Sequence, residues 1–361
     1  MARRRLVAAT ALAALITLAG SPAASAPRIG FHEYTLSKDA MCELRDRMVD
    51  RILATHEEGT WAPLEMAPSD DDLALMGLPS AEVLTSRRYP RPTMVTRDGA
   101  FREVDLPAVA SFAGTGCFGI RPGAWLLLLN GGSIGWCSMA HVYGSPGGYD
   151  ISTAGHCGKV GDTATIIAAF GNHAGALNPI LLDFGTFAKS TDAGLGKDWA
   201  LIDIRSAFQH LVTPTMCFWG GPRGMYTKTG ALAGFSWTGQ GPKVTVTPDP
   251  LLAQTIVHYG HGTGVGPGGT PRAGEAIAWG ASHFMFTGVL TPGDSGSGSN
   301  TLAGDTIGAT MEAAGINTHI YVDPLMRKGI GIMGGTRATQ VTATLANGQI
   351  VPYPVPVSGL P

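Results

Sequence analysis

The sequence predicts an all-β fold for residues 117–361, and two observations support this prediction. Short apolar runs separated by turn residues recur through this part, and the first of them, Trp125 to Leu129, breaks at Asn130. Glycine is concentrated there as well, with 44 of the 51 glycines after position 116. Short runs with frequent turns are typical of a β-sandwich or a β-barrel. The 245 residues of this part suffice for one large core or two small packed barrels.

The first 26 residues have the layout of a cleaved secretory signal peptide. Three arginines, Arg3 to Arg5, precede an apolar run from Leu6 to Ala19, and small residues follow at Ala24-Ser-Ala26. This run is shorter than a comfortable membrane span, and no later stretch approaches that length. We therefore expect a secreted, extracellular protein without a membrane span.

Charge is distributed unevenly along the chain. Residues 27–116 carry 25 charged side chains in 90 positions, whereas residues 117–361 carry 24 in 245. Within the charged segment, Ser37 could cap a helix that ends near Gly59, and its apolar positions at helical spacing are Met41, Leu44, Met48 and Ile52. The net charge of −2 indicates no basic surface for nucleic acid or anionic membranes. We expect a partly helical N-terminal segment and no nucleic-acid partner.

Two motifs in the β part indicate an activated serine. Ser152-Thr-Ala-Gly-His-Cys157 contains a histidine, and Gly293-Asp-Ser-Gly-Ser-Gly298 begins 137 residues after that histidine. A serine hydroxyl is a poor nucleophile at neutral pH, so it needs an imidazole to take its proton and a carboxylate to orient that imidazole. His156 and Ser295 are the candidate base and nucleophile.

Asp198 is the candidate carboxylate. It begins the run Asp-Trp-Ala-Leu-Ile-Asp-Ile204, whose apolar residues alternate, and it therefore stands at the mouth of a strand. That position lets a carboxylate reach a histidine while the strand stays in the core. Asp203 in the same run, Asp183 and Asp192 are the alternatives.

Three segments resemble the signature segments of chymotrypsin-like serine endopeptidases. They are Thr-Ala-Gly-His-Cys157, Asp-Trp-Ala-Leu-Ile202 and Gly-Asp-Ser-Gly296. They occur in the same order along the chain. Among the members of this family, the motifs most resemble those of secreted bacterial proteases such as the streptogrisins and α-lytic protease. The resemblance covers roughly residues 117–334.

This resemblance implies two six-stranded antiparallel β-barrels with the active site in the cleft between them. Residues 117–218 would form the first barrel, with His156 and Asp198, and residues 219–334 the second, with Ser295. It also implies a secreted serine endopeptidase that hydrolyses peptide bonds through an acyl-enzyme intermediate. Peptides or proteins would be the substrates, and no cofactor or metal is implied.

The resemblance assigns roles around Ser295 as well. The backbone N–H groups of Gly293 and Ser295 would form the oxyanion hole, and Asp294 would form a buried ion pair that shapes this loop. Lys228 lies where bacterial members carry the basic partner, although a solvated lysine in a turn is an equal alternative.

The specificity pocket departs from the family pattern. Met311 and Glu312 stand in the strand 308–315, where a Ser-x-Gly-like run is expected to line the pocket. Val289, six residues before the nucleophile, argues against a preference for Lys or Arg, which needs a buried acid. Glu312 at the rim could still attract a basic group. We expect an apolar or small preference.

The five cysteines allow at most two bridges. Cys137 and Cys157 are the easiest pair, because a hairpin would bring their strands side by side. Cys117 and Cys217 could form a second bridge, which leaves Cys42 over. The alternative is that some of these residues are buried thiols.

The outer segments and one histidine pair complete the assignment. In a secreted hydrolase, residues 27–116 are predicted to be a pro-segment, with a small helical domain as the alternative. Residues 335–361 are predicted to be a Pro-rich extended tail that avoids ladder pairing. His258 and His261 lack a carboxylate or cysteine to complete a metal site.

The alternative to a serine endopeptidase is a catalytically inactive or esterase-only member of the same fold, which would act as a binding module.

Overall fold

The structure is a computed structural model, and it describes residues between 68 and 357 with gaps. All of them belong to one compact unit that spans Lys38–Pro361. The predicted signal peptide, the predicted helix after Ser37, and Cys42 lie outside the described residues. The described ranges are 68–75, 77–96, 98–106, 119–130, 132–145, 148–167, 179–216, 219, 222, 224–226, 232–233, 235–236, 255–261, 270–288, 293–302, 311–322, 331–344, 350–352 and 356–357.

Strands dominate this part of the chain, and only two short α-helices precede them. The helices are α1 (Asp70–Leu75) and α2 (Ala81–Thr85). The strands are β1 (Thr93–Val95), β2 (Phe101–Glu103), β3 (Trp125–Asn130), β4 (Ser133–Ser138), β5 (Val142–Ser145), β6 (Gly148–Thr153), β7 (Thr163–Ile167), β8 (Ile180–Asp192), β9 (Asp198–Ile204), β10 (Gly224–Met225), β11 (Leu232–Ala233), β12 (Phe235–Ser236), β13 (Thr255–Gly260), β14 (Thr270–Trp279), β15 (His283–Gly288), β16 (Gly298–Leu302), β17 (Met311–Val322), β18 (Gly331–Arg337), β19 (Thr342–Thr344), β20 (Ile350–Pro352) and β21 (Pro356–Val357). Among the described residues, no helix has both the length and the apolar character needed to cross a membrane.

The first barrel is formed by strands β3 to β9. Their hydrogen-bonded order is β4-β3-β7-β8-β9-β6-β5. The two ends of this path, β4 and β5, are consecutive along the chain, and the Ala140 N–H between them donates to Ser152 O. When β4 and β5 are counted as one bent strand, six antiparallel strands close into a ring.

The second barrel is formed by strands β13 to β18. Their order is β17-β16-β13-β14-β15-β18, and β17 also pairs with β18, which closes the ring. If the strands of each barrel are numbered one to six along the chain, both barrels have the order 1-2-3-6-5-4. The prediction of two six-stranded antiparallel barrels is therefore confirmed.

Part of the charged N-terminal segment folds onto the first barrel. Strand β1 pairs with β8, matching Thr93 to Leu181 and Met94 to Ile180, and β2 pairs with β1. These elements therefore share a sheet with residues that follow position 116. The removal of residues 27–116 during maturation stays a prediction.

Strand β3 packs against apolar side chains on both of its faces. Leu126 and Leu128 lie in the core of the first barrel. Trp125, Leu127 and Leu129 point to the other face of the strand, where they pack with side chains from the N-terminal segment. Both faces of the strand are covered, so alternation with polar residues is absent.

The described part of the C-terminal segment is extended, but it forms more strand pairings than its proline content predicted. Strand β19 pairs with β20, and β21 pairs with β12. Pro352 and Pro356 stand at strand ends, where a missing N–H is tolerated. Ala338 and Val341 are packed into the core cluster of the first barrel, so the compact fold extends beyond residue 334.

Candidate active site

His156 and Asp198 form a hydrogen-bonded pair. The His156 Nδ1 atom lies 2.7 Å from Asp198 Oδ2, and the His156 backbone N–H donates to Asp198 Oδ1 at 3.0 Å. The carboxylate is fully buried, whereas the His156 side chain is 13% exposed. One carboxylate therefore fixes both the ring and the backbone of the histidine.

The histidine loop is held from both sides. His156 lies in a short 3₁₀ turn, Gly155–Cys157, and the Ser190 hydroxyl donates to Gly155 O at 3.0 Å and to Gly158 O at 2.7 Å. A Cβ at Gly155 would collide with Thr191 O, so only glycine permits this approach of β8. The predicted disulfide between Cys137 and Cys157 is present, and it fixes the other end of the turn.

Asp198 begins β9, as the sequence predicted for the candidate carboxylate. Its backbone N–H donates to Thr336 Oγ1 of the second barrel at 3.0 Å. The alternatives are placed differently: Asp203 and Asp192 are exposed, and the Asp183 carboxylate accepts from Thr165 Oγ1 and from the Tyr89 N–H.

The loop around Ser295 has a backbone that only glycine adopts readily. Gly293 has a φ of 97° and Gly296 a φ of 85°. A Cβ on Gly296 would collide with Thr153 Oγ1 and would lie 3.1 Å from Ala154 N, so this loop packs directly against the segment that leads into His156. Ser295 itself is 9% exposed.

Ser138, the last residue of β4, holds this loop across the two barrels. Its backbone N–H donates to Ser295 O at 2.8 Å. Its hydroxyl donates to Gly293 O at 2.9 Å and accepts from the His261 N–H at 3.0 Å. Sequence reasoning missed Ser138, because no local motif marks a serine that acts through a contact 155 residues away.

Asn317 on β17 forms hydrogen bonds with the residues that follow Ser295. Its Nδ2 donates to Ser297 Oγ at 2.8 Å, and its Oδ1 accepts from Ser299 Oγ at 2.6 Å. Its backbone exchanges two further bonds, with Ser297 O and the Gly296 N–H. All four residues are buried, so the hydroxyl of Ser297 has a specific partner. The polar run Asn317-Thr-His, between Ile316 and Ile320, was the signal available in the sequence.

Asp294 pairs with Arg272, a residue that the sequence did not point to. The two guanidinium nitrogens Nη1 and Nη2 lie 2.5 Å from the two carboxylate oxygens, and both side chains are buried. Lys228 lies outside the described residues. Arg272 sits on β14 opposite His258 of β13, so the pairing depends on strand register, which no sequence motif displays.

The predicted pocket residues are only partly described. Val289 lies outside the described residues, and only the backbone of Met311 and Glu312 is described, at the start of β17 opposite Leu302 and Thr301. Farther along β17, His319 reaches the site: its Nδ1 lies 3.9 Å from Asp198 Oδ2. The role of Val289, Met311 and Glu312 in a specificity pocket stays a prediction. Cys117 and Cys217 also lie outside the described part.

Three other histidines are buried and neutral. Burial lowers the pKa of His141 to about 4 and that of His261 to about 4. Burial, and then the nearby Arg272, lowers the pKa of His258 from 6.5 to about 3. The His258 ring nitrogens have no hydrogen-bond partner within the described part of the chain, and its ring packs edge-on against Phe286.

One group of possible metal ligands occurs among the described residues. It consists of Cys137, His156 and Cys157, whose ligand atoms lie within 4.8 Å of one another. The two sulfur atoms are bonded to each other as a disulfide, so they offer no thiolates. This donor set does not suit a metal ion.

No known protein-family profile and no curated protein matches the chain. Solved structures do match. Protease A of Thermobifida fusca is 18% identical, with 65% of this chain and 98% of that one covered and a TM-score of 0.38. A glutamic acid-specific serine protease is 17% identical (65% and 100% covered, TM-score 0.36), and an α-lytic protease homologue, N4, is 15% identical (65% and 99%, TM-score 0.32). These are proteases of the class that the motifs resemble.

The buried pair makes a prediction about stability. We expect Arg272→Met to lower the free energy of unfolding by about 3–5 kcal/mol, because it leaves the Asp294 carboxylate buried without a partner. Urea unfolding measures this loss. The matched control is the double variant Arg272→Met with Asp294→Asn, which removes the buried charge and recovers part of the stability. An Arg272→Met protein as stable as wild type would show that the pair is not needed.

The buried histidines predict acid lability. Because the folded-state pKa of His258 is far below 6.5, the unfolded chain binds more protons, and stability falls as the pH drops from about 6.5 towards 3. We expect His258→Leu to reduce this slope by about 1.4 kcal/mol per pH unit. Urea unfolding between pH 7 and pH 4 measures the slope, with the exposed His210→Gln as control. Equal slopes in His258→Leu and wild type would contradict the prediction.

Proposed function

We propose that the protein is a secreted serine endopeptidase that hydrolyses peptide bonds through an acyl-enzyme intermediate. The observation that carries this proposal is the His156 ring, fixed by the fully buried Asp198, in a turn whose preceding residues Thr153 and Ala154 pack against the glycine-flanked loop of Ser295. A buried carboxylate, an imidazole and a serine in this arrangement suit acyl transfer.

In the proposed reaction, the Ser295 hydroxyl attacks the carbonyl carbon of the scissile peptide bond. Its proton passes to His156 Nε2, the ring nitrogen that does not face Asp198. Asp198 keeps the other proton on Nδ1 and stabilises the imidazolium that forms. His156 then protonates the leaving amine, and it later takes a proton from the water that hydrolyses the acyl-enzyme.

The oxyanion is proposed to bind the backbone N–H groups of Gly293 and Ser295. Neither N–H donates to an acceptor among the residues that the structure describes, while their carbonyl groups are both held by Ser138. The Asp294 carboxylate between them is fixed by Arg272. A donor pair fixed before the substrate arrives needs no reorganisation during the reaction, and each donor contributes roughly 3 kcal/mol to transition-state binding.

The disulfide and the N-terminal sequence support secretion. A disulfide next to the catalytic base persists in an oxidising compartment, and residues 1–26 have the layout of a signal peptide. Peptides and proteins are the proposed substrates. With valine at position 289, an apolar or small side chain is the proposed preference.

Labelling with a fluorophosphonate tests the proposed chemistry. We expect the secreted wild-type protein to react with the probe and Ser295→Ala not to react. We also expect Asp198→Asn to lower kcat on a peptide substrate by about 10⁴-fold, because the amide favours the wrong histidine tautomer.

The other outcomes separate the alternatives. Labelling that persists in Ser295→Ala would remove Ser295 as nucleophile. A folded wild-type protein that does not label would indicate a binding module. A labelled protein that cleaves esters but no member of a peptide library would indicate an esterase.

A further inference from the structure

We propose that residues 69–106, here called the N-terminal layer, stay with the mature protein and position the loop of Ser295 through Trp136. The layer lies within the segment whose sequence predicts a removable pro-segment. Its described residues, all except 76 and 97, contain α1, α2, β1 and β2. The effect on activity rests on the proposed function, whereas the retention of the layer does not.

Apolar packing is the first reason. Five side chains of the layer are buried in one cluster with the outer face of β3 and β4. Leu73 and Leu84 are completely buried, and Tyr89 and Val95 are 1% exposed. The layer members of the cluster are Leu73, Leu78, Leu84, Tyr89 and Val95, and their barrel partners are Trp125, Leu127, Leu129, Ile134, Trp136 and Leu181. Loss of the layer would expose a large contiguous apolar patch that includes two tryptophans, which soluble monomers rarely tolerate.

Polar contacts are the second reason. The buried carboxylate of Asp183 in the first barrel accepts from the Tyr89 N–H at 2.9 Å, and the Asp183 N–H donates to Tyr89 O at 2.7 Å. The Val95 N–H donates to Pro179 O at 2.8 Å. A buried carboxylate requires hydrogen-bond donors. The barrel therefore contains a buried carboxylate that accepts from two donors, Thr165 Oγ1 of the barrel and the Tyr89 N–H of the layer.

Trp136 connects the layer to the loop of Ser295. Trp136 belongs to the cluster that Leu84 completes, and its Nε1 would lie 2.6 Å from a Cβ on Gly293, so the indole packs directly on the glycine of the proposed oxyanion hole. Two residues later on the same face of β4, Ser138 binds the carbonyls of Gly293 and Ser295. A shift of β4 therefore moves both oxyanion donors.

A second aromatic contact acts in the same direction. The Trp125 ring packs on Trp136 at a centroid distance of 4.5 Å, and it stacks on the His261 ring at 5.9 Å. The His261 carbonyl oxygen is the next closest atom to that Cβ position on Gly293, at 2.9 Å. The layer thus covers the two tryptophans that form one wall around Gly293.

Leu84→Ala in the full chain tests the positioning role, and Leu211→Ala is the matched control. Both leucines are completely buried, but Leu211 packs in the core cluster of the first barrel and not against the tryptophans. Far below the melting temperature, we expect Leu84→Ala to lower kcat and the fluorophosphonate reaction rate about tenfold, with KM within about twofold, because small displacements of catalytic groups cost large factors in rate. We expect Leu211→Ala to lower the melting temperature comparably and to keep the wild-type kcat.

Two results would overturn the positioning role: an unchanged kcat in Leu84→Ala, or equal losses of kcat in both variants. If Leu84→Ala does not fold, Leu84→Val and Leu211→Val, which remove less volume, give the same comparison.

Intact mass of the secreted wild-type protein tests retention without reference to activity. We expect the folded, secreted form to begin at or before Ser69. A folded form that begins after Leu106 would overturn the proposal, even if that form labels with the fluorophosphonate. Failure of the wild-type protein to label would instead refute the proposed function and leave the mass result to decide retention.

Discussion

The hydrogen bonds of Ser138 are the interaction on which the site depends. Ser138 fixes the carbonyls of Gly293 and Ser295, and the preceding residue, Cys137, is bonded to Cys157 beside His156, the proposed base. Consecutive residues of a strand point to opposite faces. Two neighbouring positions at the end of β4 therefore hold the nucleophile loop on one face and the histidine loop on the other. The relative position of His156 and Ser295 is set by one short piece of strand.

The rest of the site is arranged around this strand end. Asp294 and Arg272 form an ion pair from which water is excluded, and such a pair stabilises a fold only weakly while its geometry is strongly specified. Asn317 adds four hydrogen bonds that fix the residues after the nucleophile. Both features serve a defined loop conformation more than overall stability. A preformed loop is what electrostatic stabilisation of an oxyanion requires.

The features that the sequence predicted are those encoded locally. Short apolar runs with turns predicted the strands, and the alternation after Asp198 predicted its place at a strand mouth. The hairpin between Cys137 and Cys157 predicted the disulfide. Each of these follows from residues close in sequence, at most 20 positions apart.

The features that were missed depend on tertiary contacts. Arg272 reaches Asp294 because β13 and β14 pair in one register, whereas the prediction of Lys228 rests on a family position. The N-terminal layer looked separable because its charge differs from that of the barrels. Its charged side chains that the structure describes are on the surface, and a few apolar ones, such as Leu84, reach across to β3 and β4. The average composition of a segment does not reveal contacts that only a few of its residues make.

Acid quenching during turnover of an activated ester, followed by intact-mass and peptide analysis, tests the central claim most directly. The account predicts one acyl group per chain, carried by the peptide that contains Ser295. Turnover without any acylated protein, or an acyl group on a different residue, would contradict the assignment of Ser295 as the nucleophile.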